Sequence, residues 1–291
     1  MGKIKNQNNV KRKTALQSSS VWRVASNMKH VIIVFLLYAV SVILITLFTK
    51  NFNSAFLPSF LVNANSSILD FFVLGVILYY FEHQRQSKET ISELLEDLEN
   101  LSTHEAVELK IKKIKIIRQL NSKGVYDMQV PRMNLSHLST IKYLEFNGAE
   151  LSGLIVSNPS MRDCEFINCS IQGMHVENGK VKNVKFKNCK LKNLKATKSK
   201  FLNVSFENCY LEGGDFSNAE MRSCIIKNCD LRSVNYTNAD LRSANLLESI
   251  NIDSDKLSEA KNLNYLVCDK ELQEKIKATK ENVKFAVVDP A

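Results

Sequence analysis

The chain has 291 residues, 45% of them hydrophobic and 24% charged, which suits one or two folded units rather than a small module. The formal net charge of +9 is uneven, because residues 1–30 carry seven Lys and Arg and no acid. Seven cysteines, an odd number and all beyond residue 160, argue against a secreted disulfide framework and suit free thiols in a reducing compartment.

After the basic segment 1–30 comes VIIVFLLYAVSVILITLFT, residues 31–49, an uncharged run that at 1.5 Å per residue nearly covers a hydrocarbon core of about 30 Å. It predicts a membrane span. A second apolar run, SSILDFFVLGVILYYF at 66–81, predicts another, so that residues 31–82 form a transmembrane helical hairpin. Lys and Arg crowd before the first run and follow the second, with only Lys50 between them. That bias makes the protein integral and multi-pass in the inner or plasma membrane, with both termini cytoplasmic.

Within this hairpin Asp70 is a candidate functional residue. Asn63, Ser66, Ser67 and Asp70 have the spacing of one helix face, and an intramembrane carboxylate belongs in a bundle interior or a wet cavity. The competing reading makes NANSS an external loop and leaves Asp70 in the first turn of a short second span, where its charge suits the helix dipole.

Residues 83–124 read as a helical linker and N-terminal cap. Ile91, Leu94, Leu95, Leu98 and Leu101 recur at three and four, a spacing that also admits a coiled-coil seam and a homo-oligomer. Ser102 with Glu105 predicts a capping box for a second helix, with Val107, Leu109, Ile111, Ile114 and Ile117 apolar and Gly124 at its end.

From Ile141 to Leu246 every fifth residue, 22 positions in all, is hydrophobic, which chance would produce at roughly 10⁻⁸. Two residues earlier the side chains are small or apolar except Ser199, and they include six of the seven cysteines. Two residues later, 19 of 22 are Asn, Gly, Ser or Asp, the residues of tight turns. Each pentapeptide is therefore one short side and one corner. FINCSI, FKNCKL, FENCYL and IKNCDL recur every 20 residues, so four pentapeptides make a coil. In that register Phe146, Phe166, Phe186 and Phe206 stack, and Cys169, Cys189, Cys209 and Cys229 form another internal column. At about 4.8 Å per coil, five and a half coils make a rod about 26 Å tall.

TNADLRSANL, residues 237–246, matches the A(D/N)LXX pattern of the pentapeptide-repeat family, and residues 141–250 resemble that family. The resemblance implies a mainly β fold, a right-handed quadrilateral parallel β-helix, here over residues 125–250. Residues 251–291 then form a C-terminal helical cap and tail, LSEAKNLNYLVCDKELQEKIKA being read as helix that covers the open end.

The cysteine column lacks a CxxC and a companion histidine cluster, so its thiols read as small core residues, with no metal and no cofactor expected. Catalysis is not expected either, since no nucleotide-binding, nucleophile or metal motif occurs. The candidate binding residues are Lys180, Lys182, Lys185, Lys187, Lys190 and Lys192, continued by Lys195, Lys198 and Lys200 without an intervening acid. This basic belt suits an anionic or protein partner. Family members that resemble DNA and inhibit topoisomerases are acidic, so the belt argues against that role here. The expected function is a membrane-tethered cytosolic scaffold; a membrane effector that permeabilises the bilayer through its hairpin is the alternative.

Overall fold

The computed structural model describes residues 33, 36, 37, 40, 41, 43, 44, 56–158 and 160–286. Two compact units divide between Glu89 and Thr90. The described positions of the 31–49 run are helical, and Ile33, Leu36, Leu37, Val40, Ile43 and Leu44 among them are exposed. The remainder of that predicted span lies outside the described residues.

Helix α1 runs from Phe56 to Leu101 as 46 residues, through both the NANSS segment and residue 82. NANSS is thus helix rather than loop. Among the described residues, no helix is long and apolar enough to cross a membrane, so the expected transmembrane hairpin is not supported there.

Helix α2, Val107–Ser122, follows the turn after Leu101. Its N-cap is Ala106, with no side-chain cap, so the expected Ser102–Glu105 box does not form. The inward face differs from expectation too. Lys110, Lys113, Ile114, Ile117 and Leu120 are buried, whereas Val107 and Ile111 are exposed.

The rest is a parallel β-solenoid. Strands β1 (Thr140–Lys142) and β2 (Glu145–Asn147) both pair with β3 (Ser160–Ile167), which continues through β4 (Lys180–Lys187) and β5 (Lys200–Glu207) to β6 (Ile225–Lys227). Register partners are 20 residues apart, as in Phe146↔Phe166, Phe166↔Phe186 and Phe186↔Phe206. Every corner expected from Tyr143 to Glu248 has positive φ, which Asn and Gly adopt most readily. At Gly213 φ is +69° and a Cβ would meet Asn193 Oδ1 at 2.5 Å, so a larger residue there would have to displace that side chain.

Two sets of contacts hold the register. Inside, the phenyl rings stack at centroid separations of 5.2, 4.9 and 5.0 Å from Phe146 to Phe206. Outside, Asn168 donates to Asn147, Asn188 to Asn168, Asn208 to Asn188 and Asn228 to Asn208, at 2.8 to 3.0 Å. One file of corners is thereby zipped along the coil axis.

The solenoid extends beyond the strict period at both ends. Met128, Val130, Met133, Leu135 and Leu138 build an earlier coil, with Gln129 bridging Glu150 and Asn134 bridging Ile155. A register of 21 rather than 20 puts this coil out of phase with the coils after it. At the other end Asp240 pairs with Asn262 and Asn245 with Val267, a register of 22. The segment read as continuous helix is therefore α3 (Ser254–Ser258), a further coil around Leu263 and Leu266, and α4 (Lys270–Thr279). Phe285 bridges Leu266, so part of the tail adds an edge.

Candidate functional site

The belt lysines lie outside because the five-residue period points their neighbours inward. Val181, Val184, Phe186, Cys189, Leu191, Leu194 and Ala196 are buried, and the lysines between them face solvent, with Lys192 half-buried. Parallel ladders to the coils on either side fix their backbone positions. Lys185 pairs with Glu165 at 3.9 Å, Lys200 with Glu220 at 2.7 Å, and Lys192 with Glu212. Among the described residues Lys180, Lys182, Lys187, Lys190, Lys195 and Lys198 make no ion pair. The predicted belt is thus present, partly offset by carboxylates one coil away. Lys198 also occupies a corner, with φ +56° where Asn or Gly is usual.

Asp70 is exposed on α1, and the continuous helix gives Asn63, Ser66, Ser67 and Asp70 a common face.

The cysteines are all buried and unbridged. Cys189 Sγ donates to Phe166 O and Lys187 O at 3.3 Å, Cys209 to Phe186 O at 3.4 Å, and Cys229 to Phe206 O at 3.3 Å. Ser249 follows them in the file and donates to Ile226 O at 2.8 Å. The thiols thus serve carbonyls that face the interior. In Cys189 and Cys209, opposing bonds with the neighbouring thiols act first and burial next, and both are pushed up to about 12. Burial raises Cys224 to about 12 and Cys164 to about 11. A protonated thiol is neither a nucleophile nor a metal ligand; Cys229, by contrast, is lowered through its hydrogen bond with Cys209 against the effect of burial, and among the described residues no group of His, Cys, Asp or Glu is placed to hold an ion.

Sequence reasoning missed two lysines at the N-terminal end. Lys113 is fully buried, and its Nζ donates to the carbonyls of Ser102, His104 and Asn134 at 2.7, 2.8 and 2.9 Å. Burial lowers its pKa to about 8, helped by repulsion from Lys110 and opposed by Glu105. Lys110 donates to Ser136 O and Oγ. The available signal was the i, i+3, i+4, i+7 run of Lys110, Lys113, Ile114 and Ile117, which places both lysines on the apolar face.

Comparison with known proteins agrees with this geometry. Residues 139–213 and 180–257 match the family described as the pentapeptide repeat region. That match covers less than half of the chain and falls on the parallel β-solenoid. QnrB1, a plasmid-mediated fluoroquinolone resistance protein solved as a trypsin-treated variant, is 11% identical over 56% of this chain and 89% of its own, with a TM-score of 0.38. Rfr23, a pentapeptide repeat protein from the cyanobacterium Cyanothece 51142, is 13% identical over 52% and 96%, with a TM-score of 0.30. AT2G44920, a pentapeptide repeat protein from the Arabidopsis thaliana thylakoid lumen, is 21% identical over 41% and 81%, at 0.24. Likenesses this distant carry no functional argument. No curated protein matches the chain.

Proposed function

We propose that the solenoid is a non-catalytic binding module, a scaffold that offers its exposed lysines to an anionic or protein partner at the cytosolic face of the inner or plasma membrane. One observation carries the reading: six exposed belt lysines without an ion pair among the described residues project from a register-locked surface. A surface of this kind binds without reorganising, which lowers the entropic cost of association. The tether is proposed as a hairpin of residues 31–82, on the uncharged run 31–49 and on α1, where Phe72, Leu74, Leu78 and Phe81 are exposed. Cytosolic placement of both termini is supported by the Lys and Arg bias around the apolar runs.

Affinity capture by the full-length protein from detergent-solubilised membranes tests the scaffold. A partner lost on Lys182→Gln, Lys187→Gln and Lys192→Gln together supports it, and equal recovery contradicts it. For topology, an impermeant thiol reagent outside intact cells should label Ser54→Cys and spare Pro290→Cys; the reverse pattern contradicts the orientation.

The polar face of α1 favours a second reading, in which the protein oligomerises and permeabilises the bilayer. Overexpression then collapses membrane potential, and Asp70→Leu abolishes that effect without changing membrane insertion. A leak that survives Asp70→Leu excludes the polar stripe as its path.

A further inference from the structure

On a coil with four corners, each side carries two outward positions, one before and one after its central inward residue. The side centred on Ile141, Met161, Val181, Phe201, Met221 and Leu241 is unlike the other three. Its outward positions hold seven cations and two carboxylates, a net +5, whereas the others balance to 0, 0 and −1. The belt is the part of this asymmetry visible along the chain; the side becomes visible only when coils are stacked.

The cations form files. Lys142 is in register with Arg162, Arg162 with Lys182, and Lys182 with Leu202. The bridges Lys200↔Glu220 and Glu220↔Asp240 set Arg222 and then Arg242 next in line. Successive members are about 4.8 Å apart, the spacing of hydrogen-bonded strands. Leu202, 42% exposed, fills the one apolar place in the file. Lys180 and Lys200 are register partners in the adjoining file. Arg222 pairs with Asp240, Arg162 with the corner Asp163, and Lys200 with Glu220. Among the described residues Lys142, Lys180, Lys182 and Arg242 make no ion pair.

We propose that this side of the solenoid is a docking surface for an anionic lipid bilayer, an inference that rests on the reading of the solenoid as an anion-binding module. The charge lies on parallel strands in register, so it meets a planar anionic layer better than a point ligand. Backbone groups on this side are taken by neighbouring coils, as in Phe201 N to Glu220 O and Met221 N to Asp240 O at 2.8 Å, so an acidic peptide cannot add as a strand. Its outward positions hold no aromatic residue, so the stacking platform of single-stranded nucleic acid binders is missing. An apolar side chain amid cations suits the headgroup boundary, where Lys and Arg meet anionic lipid and an aliphatic group enters the interface.

The test uses full-length protein reconstituted in phosphatidylcholine vesicles with and without phosphatidylserine, so that the apolar N-terminal run is satisfied in both. Because the native cysteines are buried, an environment-sensitive fluorophore can be placed selectively on Leu202→Cys or, on another side, Tyr210→Cys. A headgroup-attached quencher should act at least about fivefold more strongly on the Leu202 label in anionic vesicles than in neutral ones. The Tyr210 label should not change. Lys180→Glu, Lys182→Glu and Arg242→Glu together take the side from +5 to −1 and should abolish the difference, whereas Lys187→Gln with Lys192→Gln should leave it. Equal quenching in the two vesicles, or at both labels, overturns the proposal. If the charge-reversal variant loses retention on immobilised polyglutamate while vesicle contact never depended on phosphatidylserine, the surface serves acidic protein and the anion-binding reading stands. If neither probe responds to either set of substitutions, both readings fall.

Discussion

The lysines of α2 and those of the belt are the same side chain in opposite circumstances. Lys113 is fully buried with three backbone carbonyls around its ammonium, while Lys187, on β4, is exposed and shares no ion pair among the described residues. The difference lies in what the backbone needs. Within the coils many carbonyls on the sides are met by a neighbouring coil, so an outward lysine is free for other work. At the first coil nothing precedes, and α2 supplies the donors: Lys113, Lys110, Arg118 to Lys142 O and Asn121 to Glu145 O. Lys280 plays the same part at the far end, donating to the carbonyls of Ser258 and Ala260. Open solenoid ends must be capped, and here ammonium groups do much of the capping.

The interior should break most severely. Phe186→Asp places an unpaired carboxylate in the ring stack and should cost more than about 4 kcal/mol, enough to unfold the solenoid; an unchanged far-UV spectrum and unchanged proteolysis would contradict the packing.

Alkali should come next. The six raised thiols, Cys164, Cys169, Cys189, Cys209, Cys224 and Cys268, sit above the unfolded value of about 8.5. Raised folded values mean stability that is full below about pH 8.5 and is lost toward pH 11 or 12, at about 1.4 kcal/mol per thiol per pH unit. Lys113 runs the other way, since its lowered value makes the fold gain stability from about pH 8 to the unfolded value near 10.4. Cys229, lowered chiefly by its hydrogen bond with Cys209, runs with Lys113, and six against two predicts a net loss of several kcal/mol between about pH 8 and 10 by denaturant titration.

Lys113→Met should cost roughly 3 kcal/mol by leaving carbonyls unpaired, against less than about 0.5 kcal/mol for Lys187→Met at the surface. Similar losses for the two would erase the distinction between cap and belt. Cys189→Ala should lose about 1 kcal/mol at pH 7 while flattening the alkaline decline. The smallest effect should be a gain: the Tyr236 hydroxyl is buried and has no hydrogen-bond partner among the described residues, so Tyr236→Phe should stabilise by about 1 kcal/mol.

Where a five-residue step repeats without insertion, the sequence was nearly sufficient: it marked the inward residues, all the positive-φ corners from Tyr143 to Glu248, the phenyl stack and the exposure of the belt. Legibility stopped where the register changed. One extra residue before Tyr143 hid the coil from Met128 to Leu138, and two extra residues before Asn262 disguised another coil as helix. The face of α2 was misjudged because hydropathy cannot see that a lysine will be met by backbone carbonyls. The basic side escaped notice because its members lie 20 residues apart, while the belt is nearly contiguous. The expected second membrane span is not supported among the described residues.

The central claim is that exposed lysines on a fixed surface bind anions, and its most direct test is a salt titration of retention on an immobilised polyanion. The parent should be released progressively as salt rises, because charges are screened beyond a Debye length of about 8 Å at physiological ionic strength. Lys182→Gln, Lys187→Gln and Lys192→Gln together should be released earlier and with a shallower dependence on salt, with an unchanged near-UV spectrum. Superimposable release curves for parent and variant would contradict the claim.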